Sequence, residues 1–417
     1  MTKSLRQVAS EMDPLADKRS GVQLKSLLKQ HRWLTGTPSN RLREVVRRHS
    51  ESATIKFLSY NTYLTEAHIT LPDPLPDLRI TAKPALHTRA REIGQRIFAE
   101  YDFASLYEVM QEQQRNEILE AWGPSPPDNF FGGTLSSLFT ISKKFSIGRR
   151  ENKTYENKGK AKSIRIPPVI GLKVDISLDS DFYAEKGVML TEIVTPFGTV
   201  EVYSTHLMFG GGFGKTGEDL LNAATPLDGH ISESSADERF EIQKNQLDEL
   251  IEFYHQQHHR DAANNRSNVA IICGDFNIDG SDGKHFGELK NRLAAIGMKD
   301  AWAETPFFNN LTGGQTARND DGDSRPLEGN FDNICTGLKT NQDYCDDSLA
   351  PNHPPPLDCV GRFDFIFIED PQPDHQCNVD LSRVRRRQFR RPQDSDGQFF
   401  LSDHLGLETT LIISRKK

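Results

Sequence analysis

Six segments between Thr54 and Ile413 share one pattern: an acid, an amide or an imidazole stands at or near one end of a short run with strand character. Asn61 follows the alternating run 55–60, and Glu108 follows the apolar run 103–107. His206 closes 202–205, while Asp275 and Asn277 follow the continuous apolar run 269–273 and its Gly274. Asp364 lies within 362–368, and Asp403 and His404 precede the last apolar run, 407–413. In α/β scaffolds, strand ends are where side chains from distant parts of the chain converge. Each position alone has an ordinary reading: Gly-Asp-Phe-Asn can be a turn, and Ser402-Asp403-His404 can cap an element. The whole set at strand ends is harder to explain as turns.

Helices fall between these runs. Residues 87–101 place Ile93, Ile97 and Phe98 at helical spacing, and 237–257 carry a stripe of Phe240, Leu247, Leu250, Ile251 and Tyr254. Residues 188–194 and 199–205 around Pro196-Phe197-Gly198 read as a hairpin. One large α/β domain over 51–417 is expected, preceded by a basic arm or accessory helix over 1–50. That arm holds 11 Lys and Arg against 4 Asp and Glu. It suits either a solvated segment docked on the domain or a contact with a membrane surface or polyanion. Two polar, Gly- or Pro-rich stretches, 209–235 and 309–355, read as long loops.

The formal net charge of −8 over 417 residues excludes a histone-like binder but leaves room for a local basic groove. No run of about 18 apolar residues exists, so no transmembrane helix is expected. The N-terminus lacks the apolar stretch of a secretory signal. Five cysteines cannot all pair with one another, and no CxxC is present. Together these favour a cytoplasmic compartment and argue against structural zinc, with secretion left open. Cys335, Cys345 and Cys359 share one polar loop, where one disulfide is possible.

In order, LSYNTYL, FASLYEVM, YSTHL, CGDFNID, RFDFIFI and LSDHLGL resemble the motifs of the endonuclease/exonuclease/phosphatase superfamily, the DNase I-like fold. The resemblance implies a four-layered α/β sandwich with two central, mainly antiparallel sheets. It also implies a phosphoric ester hydrolase that uses Mg²⁺, with Mn²⁺ or Ca²⁺ as alternatives. Glu108, Asn61 and Asp403 resemble the metal ligands, and oxygen donors suit such hard ions. His404 resembles the general base, oriented by Asp364, with Asp275 positioning the nucleophile or assisting the base. His206 and Asn277 would donate to phosphate oxygens as charge builds. The family's usual glutamine before the metal-binding glutamate is replaced here by Tyr107.

Three smaller features resemble neutral sphingomyelinases: Asp181-Phe182-Tyr183-Ala184-Glu185-Lys186-Gly187, the helix with Gln243 and Gln246 after the histidine motif, and Asp300-Ala301-Trp302-Ala303-Glu304-Thr305. They imply a phospholipid phosphodiester, with Lys186 meeting the phosphate or, alternatively, standing as an ordinary exposed lysine at a strand start. Phe130 and Phe131, like Phe209 and Phe213, lie among glycines. They suit either shallow contact with a lipid interface or a tuck into the core. The competing substrate is DNA or RNA. For that reading Lys143, Lys144, Arg149, Arg150, Lys153 and the runs 158–165 and 383–391 would supply a basic rim. A catalytically inactive binding module is the remaining reading, although such a relative would be expected to lose one of the acids.

Overall fold

The computed structural model describes residues 52–64, 86–133, 137–157, 186–208, 236–258, 267–278, 283–302, 363–382, 384–387, 389, 401–402 and 404–416. Only the backbone is described for 66–69, 78–81, 163–165, 175–177, 236–239, 337–338, 359–361 and 386. The arm 1–50, the stretch 209–235, Asp403, Cys335, Cys345 and most of 309–355 lie outside the described residues. No helix among the described residues is long and apolar enough to cross a membrane.

Two sheets form the centre. The first is built from β1 (Ser52–Leu64), β4 (Phe103–Val109), β5 (Asp128–Phe131), β6 (Phe139–Ser142), β17 (Cys377–Leu381), β18 (Arg385–Arg387) and β19 (Gly406–Arg415). Its order is β17-β19-β1-β4-β6-β5, with β18 paired to β19. The second holds β7 (Ser146–Thr154), β10 (Gly187–Thr195), β11 (Gly198–His206), β12 (Val269–Asp275), β13 (Met298–Asp300) and β16 (Asp364–Glu369). Its order is β13-β16-β12-β11-β10-β7. Each sheet contains one parallel pair, β1 with β4 and β11 with β12, among antiparallel neighbours. Three short ribbons lie outside them: β2 (Glu66–Ile69) with β3 (Leu78–Thr81), β8 (Ser163–Arg165) with β9 (Asp175–Ser177), and β14 (Gly337–Leu338) with β15 (Cys359–Gly361). β14 therefore falls inside the stretch read as a structureless loop.

The sheets face each other through an apolar layer that includes Ile55, Phe57, Phe103, Val202, Ile271, Ile366, Leu411 and Ile413. Alternation explains the fit. The first half of β1 buries Ala53, Ile55 and Phe57 while Thr54 and Lys56 stay half-buried. Helices α1 (Leu86–Glu100) and α2 (Glu112–Leu119) cover the outer face of the first sheet. Helices α3 (Ala236–His258) and α4 (Gly283–Ala295) cover the second through Phe240, Leu247, Leu250, Phe253, Tyr254, Leu289 and Leu293. The result is helix, sheet, sheet, helix: the four-layered sandwich. Burial on both faces accounts for the continuous apolar run of β12, all of whose residues are buried.

Two details differ from the sequence reading, and a third bears on alternatives it left open. Phe98 is 44% exposed and does not belong to the apolar stripe of α1. It meets Trp122 edge-on, with the Lys143 ammonium over its ring. Phe253 joins the buried face of α3, whereas Ile251 is only partly buried. Phe130 and Phe131 lie on the edge strand β5 and pack inward, Phe130 beside Tyr107, Leu138 and Met189, and Phe131 against Phe139. Both are half-buried, one side of each packed on the sheet.

At one end of the second sheet lies a buried ionic cluster. His258 Nδ1 is 3.0 Å from Glu201, its Nε2 is 3.5 Å from Glu369, and His375 stands 3.5 Å from Glu369. Tyr203 and Asn268 donate to Glu201, Tyr254 donates to Glu369, and Arg149 bridges Glu201 and Glu192. Burial alone would depress the His258 imidazole, but Glu201 and Glu369 override it and raise its pKa to about 9. Burial opposes ionisation of Glu369, yet His258 and His375 hold its pKa down at about 2. The folded pKa of His258 lies above its unfolded value, so its contribution is fully present below about pH 6.5 and is lost as pH rises through about 9. For Glu369 the sign is opposite, and its contribution is lost only as pH falls through about 2. His258→Gln is expected to lower the melting temperature by roughly 5–10 °C at pH 6 and to flatten the loss of stability between about pH 7 and 10. Calorimetric scans across that range check both. An unchanged slope would remove His258 as its source.

Candidate active site

Register assembles the site. In the second sheet His206 pairs with Asp275 across the parallel β11–β12 ladder, and Asp275 pairs with Asp364 across β12–β16. The three residues therefore form one row at one end of the sheet. Gly274 lets the strands approach there, because a Cβ would sit 2.1 Å from the Thr205 carbonyl. In the first sheet Asn61 pairs with Tyr107, so parallel pairing brings Asn61 and Glu108 to the same end. The Asn61 Nδ2 group joins the two sheets, donating to Glu108 Oε1 at 3.1 Å and to Asp275 Oδ2 at 2.9 Å. His206 Nε2 lies 3.7 Å from Glu108 Oε1 and 3.6 Å from Asp275 Oδ2.

The second half of the site is an imidazole–carboxylate pair. His404 Nδ1 and Asp364 Oδ2 are 2.8 Å apart, and His404 Nε2 lies 3.7 Å from Asp275 Oδ2. The Asp275 and Asp364 side chains are each 1% exposed, whereas Glu108 and His404 are 14% and 12% exposed. Glu108 and His404 are thus the more exposed members of the cluster. Glu108 and Asn277 have positive φ of 60° and 50°, and Tyr63 beside Asn61 has 49°. Left-handed backbone at non-glycine residues costs energy, and here it gathers at one cluster.

The local electrostatics follow from burial. Burial and the neighbouring Asp364 raise the Asp275 pKa to about 7, against the opposing pull of His404, Asn61 and the Asn277 amide. Burial, then Lys186 and His404, hold the His206 imidazole well below its usual range. Lys186 is not the ordinary exposed lysine of one sequence reading: it is 4% exposed, and its Nζ stands 2.7 Å from His206 Nε2, at the edge of the cluster. Asn277 donates its side-chain amide to the Leu207 carbonyl, its backbone N–H reaches Asp275 Oδ1, and Gln243 caps its carbonyl. Tyr107, in the place of the usual glutamine, puts its buried hydroxyl between Ser59 and Cys273, 2.8 and 3.3 Å away. It thereby links the two sheets below Glu108.

The donor set fits a divalent cation. Glu108, His206 and Asp275 bring one ligand atom each within 4.8 Å of one another, as do Asp275, Asp364 and His404. The raised pKa of Asp275, buried beside Asp364, is what a bound cation would relieve. Asn61 turns its amide nitrogen to the carboxylates, while its Oδ1 accepts from the Tyr63 N–H at 3.0 Å.

Among the described residues, several of the cations that would line a nucleic-acid groove have partners within the protein, while the side chains of 158–165 and 390–391 lie outside the described residues. Arg150 pairs with Asp128, Lys153 with Glu249 and Glu252, and Arg387 with Glu100. Lys143 and Lys144 donate to the Phe98 and Thr54 carbonyls. Ser402, Thr62 and Arg89 escaped the sequence reading. Ser402 Oγ donates to the Asn61 carbonyl and accepts from the His404 N–H. Its place two residues before His404 was a usable signal. For Arg89 the signal was a guanidinium on the apolar face of α1, three residues after Leu86.

No family model matches the chain, and no curated protein matches it. Among solved structures it is similar to a Staphylococcus aureus beta toxin variant with bound magnesium ions, at 15% identity and a TM-score of 0.47, covering 87% of this chain and 100% of that one. It is similar to sphingomyelinase C from Streptomyces griseocarneus, at 16% identity and a TM-score of 0.46, covering 86% and 99%. Truncated TDP2 from Caenorhabditis elegans is similar at 14% identity and a TM-score of 0.44, covering 86% and 97%.

Proposed function

We propose that the chain is a divalent-metal-dependent phosphodiesterase of the DNase I-like type, acting on a phospholipid as a sphingomyelinase or phospholipase C does. The observation that carries this reading is the His404–Asp364 pair, 2.8 Å apart, facing the same buried Asp275 that Asn61 joins to Glu108. A base with its orienting carboxylate thus stands beside a cluster of oxygen donors, as metal-assisted hydrolysis requires.

Glu108 and Asp275, with Asn61 and Asp403 beside them, would hold Mg²⁺, with Mn²⁺ or Ca²⁺ as substitutes. When bound, the ion supplies positive charge to the phosphoryl and leaving oxygens. The chain's own residues do the rest. Asp364 accepts the His404 Nδ1–H and leaves Nε2 basic. Nε2 takes a proton from the attacking water, and Asp364 stabilises the imidazolium that forms. Asp275, buried between His404 and Asn61, orients the nucleophile. Lys186 donates toward His206, and these two with the second amide N–H of Asn277 meet the phosphate oxygens as charge builds.

The choice of phospholipid is supported by the Lys186-Gly187 and Asp300-Ala301 stretches and by the internal pairing of the β7 cations. A panel tests it: sphingomyelin vesicles, plasmid DNA, RNA and inositol phosphates, each with Mg²⁺ and with EDTA. The expected result is phosphocholine release from the vesicles, abolished by EDTA. Cleavage of plasmid but not of vesicles would overturn the lipid assignment and favour a nuclease. No cleavage of any member would favour a binding module.

A further inference from the structure

Arg89 stands on the apolar face of α1, among Leu86, Ala90, Ile93 and Ile97, and is fully buried. A guanidinium keeps its charge at any physiological pH, so burying one is costly unless its donors are used. Arg89 spends them on backbone carbonyls from two segments more than 300 residues apart in sequence. Nη1 donates to the Leu401 carbonyl at 2.8 Å and reaches the Thr62 carbonyl at 3.4 Å, while Nη2 donates to the Tyr63 carbonyl at 2.9 Å.

Both segments carry the site. The β1–β4 register shifts between Asn61 and Leu64, where β1 takes one extra residue and Tyr63 turns to positive φ. Arg89 covers the two carbonyls of that bulge. Within the bulge, Asn61 Oδ1 holds the Tyr63 N–H, and the Thr62 hydroxyl donates at 2.7 Å to the Tyr107 carbonyl, at the peptide that leads into Glu108. On the other side Leu401 precedes Ser402, whose hydroxyl binds the Asn61 carbonyl at 2.7 Å and accepts the His404 N–H at 3.1 Å. The helix beneath is closely packed: a Cβ at Gly94 would sit 2.0 Å from the Ile118 carbonyl, so α1 rests directly on the backbone of α2.

We infer that Arg89 is a positioning residue that fixes the distance between the metal-binding side of the site, Asn61 and Glu108, and the general base His404. Its activity readout rests on the phosphodiesterase reading. A lysine presents one ammonium where the guanidinium spans a planar fork, so it reaches the carbonyls of only one segment.

The test compares wild type, Arg89→Lys and Ser402→Ala with His258→Gln, a destabilised variant remote from the site. Arg89→Lys is expected to lower kcat about 10–100-fold with KM little changed. It should also broaden or remove the downfield His404 Nδ1–H proton resonance of the pair with Asp364. His258→Gln should lose comparable stability yet keep both kcat and the resonance. Ser402→Ala should reproduce both losses, and it carries the test if Arg89→Lys does not fold. Wild-type kcat with an intact resonance in the folded variant would overturn the proposal, as would a loss that His258→Gln matches at equal stability. If wild type cleaves no phosphodiester, the functional reading fails and the resonance alone decides the role of Arg89.

Discussion

Replacing His404 with alanine is expected to lower turnover by about 10²–10⁴-fold while leaving the protein folded. The imidazole is 12% exposed and lies outside the main apolar clusters. Its removal therefore leaves little cavity, and Ser402 still holds the backbone N–H. What is lost is the ring nitrogen Nε2, whose partner nitrogen Nδ1 is oriented by Asp364 at 2.8 Å. KM is expected to change little, because the contribution is made in the transition state. Initial rates with the best substrate of the panel, alongside thermal unfolding, measure both. Near-wild-type turnover would remove His404 from the role of base.

Glu108→Gln is expected to produce a loss of similar size by a different route. The substitution keeps volume and left-handed backbone but removes one negative charge, and the amide oxygen can still accept from Asn61. A metal site that loses its charged ligand loses several kcal/mol of transition-state stabilisation, roughly 10³-fold in rate at fixed Mg²⁺. The Mg²⁺ concentration for half-maximal rate should rise by at least about tenfold. His404→Ala should leave that concentration unchanged. The two variants thus separate on a metal titration even where their rates coincide. Equal Mg²⁺ requirements in Glu108→Gln and wild type would place the ion elsewhere.

Much of the layout was legible because local patterning and register agree. The run 269–273 marks a doubly buried strand, and residues after it fall in line with the end of the neighbouring strand, so His206 meets Asp275. The strand-end acids, amides and imidazoles come together because the parallel pairs β1–β4 and β11–β12 end on one side, where the antiparallel strands β16 and β19 begin. What was not legible depends on partners far away in sequence. The cations of β7 find acidic partners on folding because Arg149 meets Glu192 and Glu201 on the neighbouring strands, and Lys153 meets α3. Lys186 is buried because Gly187 pairs with His206, which sets its ammonium on the imidazole. Asn61 reads as a metal ligand, but only the packing of the two sheets shows its amide bridging Glu108 and Asp275. Tyr107 looks like a defect in the motif, yet its hydroxyl is an inter-sheet contact. Asp403 is within the same motif as His404 and outside the described residues, so its role as a metal ligand remains a proposal.

The claim that chemistry depends on a cation held by Glu108 and Asp275 has one direct measurement. Phosphocholine release from sphingomyelin vesicles is followed against free Mg²⁺ for wild type and Glu108→Gln, with an EDTA-treated control. The assignment predicts saturable activation in wild type, no release in EDTA, and a curve displaced to higher Mg²⁺ in the variant. Release that persists in EDTA, or superimposable curves for the two proteins, would contradict it.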